Sequence, residues 1–181
     1  MNWQIILAGF GGQGMMFLGQ LLSYAAIEEN KNTTWIPSYG PEMRGGTANC
    51  SVVISDKRVS SPVVSRPNLL VVMNQPSLHK FQNTVRPRGY LFINSSLVAE
   101  EVSRNDINVV KIPANDLANE LGFAKIANMV VLGAIIGKTG CINVESVIKA
   151  LEKKTLYSQR DLLDINRKAI QTGVDYVRKG E

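Results

Sequence analysis

Soft metal ligands are scarce in this 181-residue chain: two cysteines, Cys50 and Cys141, and a single histidine, His79. The cysteines lie far apart and no Cys-x-x-Cys occurs. The sequence therefore offers no local ligand set for zinc or an iron–sulfur cluster, and a histidine-rich metal centre is excluded. Long hydrophobic runs are missing as well. The longest apolar stretch, IANMVVLGAIIG at residues 126–137, falls well short of the roughly 20 residues that a membrane span requires. The start, MNWQIILAG, lacks the basic residues and cleavage site of a signal peptide, so a cytoplasmic location with reduced cysteines and no membrane contact is expected. No internal repeat, low-complexity segment, catalytic triad or paired-carboxylate site is visible. Charge is nearly balanced, 20 Lys+Arg against 15 Asp+Glu. The small positive excess suits an anionic ligand or acidic partner, and no nucleic-acid partner is expected.

What the chain does contain is an alternation of apolar runs and helical periodicities. QIILA (4–8) reads as a buried strand, residues 13–29 as a helix, and TTWIPS (33–38) as a second strand, in the order of a βαβ unit. TANCSVVIS (47–55) alternates as a half-buried strand, with Cys50 on its apolar face. DKRV (56–59) reads as a turn followed by a short strand that pairs back. NLLVVMN, GYLFINSS and INVVKIP are further strands, and the proline of PSLHKFQNTV marks a helix start. ANDLANELG is a short helix stopped by Gly122, and residues 126–138 form a helix apolar nearly all round, hence buried. Asn143 caps a helix from Val144 to Lys153. Ser158 and Asp161 open the last helix as a capping box, with Leu162, Ile165, Ala169, Ile170, Val174 and Val177 as its apolar stripe. The expectation is a single α/β domain over residues 1–181: a Rossmann-like, mainly parallel sheet flanked by helices, with a helical C-terminal region.

Two loops stand out. Gly9-x-Gly11-x-x-Gly14, with Phe10, Gly12 and Gln13 between, follows the first strand and opens the first helix. In a dinucleotide site Gly9 would allow the turn, Gly11 the close approach of a bound group, and Gly14 the packing of helix on strand, with free N–H groups offered to an anion. The acid that would hold a ribose at the end of the second strand is absent; WIPSYG stands there instead. A glycine turn that merely packs tightly fits the same residues. The second loop runs through Ser38, Tyr39, Gly40, Pro41, Glu42, Arg44, Gly45 and Gly46 to Thr47, and a parallel arrangement would bring it to the same sheet edge. Arg44 can bind a phosphate or carboxylate through two parallel bonds beside the open backbone of Gly45 and Gly46, or pair with Glu42 in a solvated loop. Cys50 reads as a core thiol, Cys141 as a loop or helix-edge residue, His79 as a surface residue, and Met15, Met16 and Phe17 as core.

AGFGGQG followed by SYGPEMRGGTANCSVVIS, then SPVV, NLLVVMNQPSLHKF and GYLFINSSL in that order, resembles the gamma subunit or gamma domain of the 2-oxoacid:ferredoxin oxidoreductases. The likeness spans nearly the whole chain and leans toward the 2-oxoglutarate and branched-chain branches rather than the pyruvate one. It implies a multi-subunit enzyme that decarboxylates a 2-oxoacid to an acyl-CoA and passes electrons to ferredoxin. It also implies thiamine diphosphate, Mg2+ and iron–sulfur clusters on the alpha and beta subunits and on delta where present, with coenzyme A as co-substrate and none of the cofactors on this chain. The gamma part then serves assembly and the coenzyme A side, and the two loops become phosphate or subunit-contact loops. The alternative is a free-standing nucleotide-binding oxidoreductase with a modified Rossmann loop.

Overall fold

The computed structural model describes residues 2–38, 47–154 and 160–180. Its centre is a six-stranded sheet of β1 (Asn2–Phe10), β2 (Asn32–Ser38), β3 (Thr47–Ser55), β4 (Leu69–Val72), β5 (Tyr90–Asn94) and β6 (Asn108–Ile112), in the order β2-β3-β1-β4-β5-β6. β1, β4, β5 and β6 pair in parallel, whereas β3 runs antiparallel to both β1 and β2. The mainly parallel sheet is as expected. The simple βαβ unit is not: β2 points the same way as β1, but β3 lies between them and β2 is an edge strand carrying Pro37, a residue that edges tolerate. The short strand expected after residues 56–59 does not form, and residues 56–68 run to β4 without strand structure.

Apolar runs become central strands because both faces of the sheet are covered. Ile5 and Leu7 of β1, with Val52, Val71 and Phe92, enter the larger core beneath α1 (Met15–Glu28), α4 (Ala127–Thr139), α5 (Val144–Lys154) and α6 (Arg160–Lys179). The alternate residues Ile6, Ala8, Leu70, Val72, Leu91 and Ile93 form a smaller core under α2 (Gln75–Phe81). α3 (Ala114–Glu120) follows β6. On α1 the buried Leu18, Leu21, Leu22, Ala25 and Ala26 recur at helical spacing and face the sheet. Gly19 lets that helix settle: a β-carbon there would stand 2.7 Å from Cys50 Sγ and 2.9 Å from the Trp35 ring. Phe17, expected in the core, is 37% exposed, because it lies at the margin of the buried face, beside Leu21 and about a quarter-turn from Leu18.

α4 is buried from Ala127 to Ile136, as its all-round apolarity requires. It crosses α6 with backbone against backbone. A methyl on Gly133 would strike the Ile170 carbonyl, and one on Gly173 would strike the Val130 carbonyl. The stripe on α6 is Ala169, Ile170, Val174 and Val177, with Leu163 and Ile165 packed beside it. Leu162 is 45% exposed although it stands seven residues before the buried Ala169, and Leu163 packs on the core in its place. Ser158, and with it the expected capping box, lies outside the described residues.

Gly173→Ala is expected to lower stability by about 1–3 kcal/mol, the cost of overpacking a close contact, although alanine is the better helix former. A thermal melt followed by circular dichroism checks this; an unchanged or raised midpoint would contradict the tight crossing.

Candidate functional site

The chain leaves β1 toward β2 on one side, while β4 pairs on the other side of β1. The carboxyl ends of β1 and β4 thus flank a topological switch point, the place where open α/β sheets bind ligands. Gly9 and Phe10 end β1, Gly11 and Gly12 make the turn, and Gln13 and Gly14 lead into α1.

The structure reassigns the glycines. Positive φ occurs at Gly12 (91°) and Gly14 (75°), so these positions require glycine for the turn itself, while Gly9 and Gly11 are not left-handed. Gly9 is a close-approach position: a β-carbon there would lie 2.7 Å from Gln13 Oε1 and 3.1 Å from Met73 Cβ. A methyl on Gly14 would collide with the Asn128 amide of α4, so Gly14 accommodates a helix start and not a strand. Gln13 staples the turn. Its Oε1 accepts from Phe10 N (2.6 Å) and Asn74 Nδ2 (3.2 Å), and its Nε2 donates to the Met73 carbonyl (3.2 Å). This ties the end of β1 to the end of β4.

The two flanks of the second loop reach this edge. Thr47 pairs with Phe10, and Ser38 pairs with Asn49, so the chain leaves β2 and enters β3 beside the glycine turn. Ser38 is exposed. Tyr39, Gly40, Pro41, Glu42, Arg44, Gly45 and Gly46, together with the expected Glu42–Arg44 pair, lie outside the described residues.

Sequence reasoning missed the amides that complete the edge. Asn74, at the end of the β4 run, caps α2 by accepting from Ser77 N (2.9 Å). Asn94 Oδ1 accepts from Ala114 N (3.2 Å) at the start of α3, and its Nδ2 donates to Asn115 Oδ1 (2.7 Å). Asn128 donates to the Gly14 carbonyl (3.4 Å). A signal was present: Asn74 and Asn94 each end an apolar run, and Asn128 is the lone polar side chain within residues 126–136. A cleft of about 200 Å3 opens among Gly12, Gln13, Asn115, Lys125 and Asn128. A larger groove of about 540 Å3, bordered by Lys111, Lys138, Tyr176 and Lys179, lies along β6 at the outer edge of the sheet, away from the switch point.

The remaining candidates carry no chemistry. Cys50 Sγ donates to the Met15 carbonyl (3.3 Å), and burial pushes its thiol up to about 12. Cys141 follows the helix-ending Gly140, as a loop residue would, but is fully buried, and burial raises its thiol too. His79 is exposed on α2 and contacts Glu100 Oε2 at 2.6 Å. Among the described residues no group of three or more His, Cys, Asp or Glu is placed to hold a metal, and no helix is long and apolar enough to cross a membrane.

A mostly parallel sheet with a glycine turn and an uncapped helix start at its switch point defines a Rossmann-like domain. The family is narrower: the model of the pyruvate ferredoxin/flavodoxin oxidoreductase family matches residues 4–176, and the chain belongs to that family. Ketoisovalerate oxidoreductase subunit VorA of Methanothermobacter marburgensis is 39% identical over 178 residues, which cover 97% of this chain and 37% of that protein. 2-Oxoglutarate synthase subunit KorC of Methanocaldococcus jannaschii is 36% identical over 154 residues, covering 83% of this chain and 82% of that one. The chain therefore spans little more than a third of the VorA relative and most of the KorC relative. The solved gamma subunit of keto/oxoacid ferredoxin oxidoreductase from Geobacter sulfurreducens superimposes with a TM-score of 0.84 at 28% identity, over 98% of this chain and 99% of that one.

Neither thiol should react with a water-soluble disulfide reagent at mildly alkaline pH until the chain unfolds; rapid labelling of the native protein would contradict their burial. Folded Cys50 and Cys141 hold protons that an unfolded chain releases above about pH 8.5. The native state then binds more protons than the unfolded one, so stability should fall as pH rises through that value. Urea midpoints at neutral and alkaline pH measure the effect.

Proposed function

We propose that this chain acts as a single gamma-type domain, one subunit of a multi-subunit 2-oxoacid:ferredoxin oxidoreductase. Such an enzyme oxidatively decarboxylates a 2-oxoacid to an acyl-CoA and CO2 and reduces ferredoxin. The observation that carries the reading is the family match over residues 4–176, joined to the likeness along most of a KorC subunit. The names borne by the relatives favour 2-oxoglutarate or a branched-chain 2-oxoacid as substrate. A four-cysteine cluster cannot be built from two cysteines, which supports placing the iron–sulfur clusters, with thiamine diphosphate and Mg2+, on the alpha and beta partners and on delta where present. A cytoplasmic location belongs to the same proposal. The free-standing nucleotide-binding oxidoreductase is set aside on the family match and on Ser38, which occupies the neighbourhood where a ribose-binding acid would stand.

Within that enzyme the chain's own residues serve assembly and the coenzyme A side. α1 begins without a side-chain cap or an acid in its first turn, so its N–H groups and partial positive charge are open to a phosphate. Arg44 lies in sequence between Ser38 and Thr47, whose pairings put the ends of β2 and β3 at the same edge, and a guanidinium fork matches a phosphate. For assembly, Phe17, Tyr24 and Ile27 stand 37%, 48% and 56% exposed on α1 at spacings that share one face, beside the edge strand β2. Apolar surface of this kind suits a partner subunit.

Arg44→Ala in the assembled enzyme should raise the apparent KM for coenzyme A about 10- to 100-fold, the worth of a charge-assisted bond, and Gly11→Val should act in the same direction. Carbon dioxide exchange into the 2-oxoacid without coenzyme A should persist. If both activities fall together and the complex dissociates on a sizing column, the loops are subunit contacts instead. The chain purified alone should be colourless, and an iron assay should find none bound; stoichiometric iron with cluster absorbance would overturn the placement of the clusters.

A further inference from the structure

The sheet ends on two unequal edges. β2 carries Pro37, which withholds a backbone donor and so blunts strand pairing. β6 contains neither proline nor glycine, and among the described residues no strand lies beyond it. Its main chain is only half used. Asn108 N donates to the Gly89 carbonyl, and the Ile112 carbonyl accepts from Ser95 N, both at 2.8 Å. In a parallel ladder successive residues turn their N–H and C=O groups to opposite sides. Asn108, Val110 and Ile112 therefore serve β5, while Val109 and Lys111 turn theirs outward. The groove of about 540 Å3 runs along that outer side, with Val109, Val110 and Lys111 among its lining residues.

The groove is lined by cations and, among the described residues, by no acid. Lys138 closes α4, Lys179 closes α6, and Tyr176 is 38% exposed beside them. Each helix end offers about half a negative charge, less than the full charge of its lysine, so this rim stays positive. Val110 packs with the larger core, the side on which α4 and α6 lie, and Val109 with the smaller one. Lys111 stands two residues from Val109 and so shares its face, where it contacts Glu101 Oε1 at 2.6 Å. Both members of that pair are exposed, and such pairs contribute little. Cations thus stand on both faces of the free edge. A second copy of β6 would set two lysine rims against each other, so the charges that oppose self-pairing select an acidic partner.

We propose that β6 is a docking edge for an extended, acidic segment of a partner subunit, which joins the six-stranded sheet as one further strand. Main-chain bonds to Val109 and Lys111 supply the hold, and side chains on alternate faces supply the selectivity. Carboxylates on one face of the added strand meet Lys138 and Lys179, and those on the other meet Lys111. The inference rests on the multi-subunit reading for the source of the segment. It adds a second contact, at the sheet edge opposite β2 and the exposed face of α1.

The test uses the full chain, isotopically labelled, titrated with two capped peptides, one of alternating glutamate and threonine and one of alternating lysine and threonine. The acidic peptide should give saturable shifts at the Val109, Val110 and Lys111 backbone amides and bind at least about tenfold tighter than the basic one. Lys179→Glu, at an exposed position, should weaken it about three- to tenfold, the worth of reversing an exposed ion pair. Val109→Pro, which removes one outward N–H, should weaken it by a similar factor, about three- to tenfold, while Lys57→Glu, beyond β3, should not. A thermal melt of each variant separates lost binding from lost folding. In the assembled enzyme, hydrogen exchange at the Val109 and Lys111 amides should slow at least about tenfold relative to the free chain. Absence of saturable shifts, equal binding of the two peptides, or unchanged exchange within an assembled complex overturns the proposal. In that last case the subunit reading stands, because the complex has formed. A chain that binds the acidic peptide but copurifies with no other subunit supports the docking edge and counts against the subunit reading.

Discussion

The crossing of α4 over α6 leaves no space for side chains at its centre, where Gly133 faces the Ile170 carbonyl and Gly173 the Val130 carbonyl. Each glycine thus makes room for the backbone opposite the other. That approach sets how α4 lies over the sheet, and the consequence reaches the carboxyl edge. The start of α4 carries Asn128, whose amide sits against Gly14 and leaves that position no room for a side chain. Gly14 is also the left-handed residue from which α1 departs. A contact in the helical C-terminal region therefore governs the geometry of a turn near the start of the chain.

Among the described residues, the hydrogen bonds that frame the edge come from neutral groups. Gln13, Asn74, Asn94, Asn115 and Asn128 join strand ends to helix starts by hydrogen bonds. Burying a satisfied amide costs far less than burying a charge, so this framework can sit deep in the fold. It also leaves local electrostatics to the helix dipoles and to cations at the rim.

The sequence by itself determined the six strands that form, though not the absence of one expected after residues 56–59, with most helices and the place of the glycine turn, because periodicity and turn chemistry are local properties. TANCSVVIS alternates because one of its faces packs under α1, and IANMVVLGAII is apolar all round because α4 is enclosed. That β2 ends at the same sheet edge as β1 was legible as well, since the two strands run in one direction. Only the tertiary structure decided that β3 comes between them, that Gly12 and Gly14 and not Gly9 and Gly11 carry positive φ, and that Leu163 replaces Leu162 on the α6 face. It alone assembled Asn115, Lys125 and Asn128 around the turn. Those residues lie about a hundred positions from Gly12 in the chain, and nothing local to either segment encodes a contact that exists only once α4 has packed against α6.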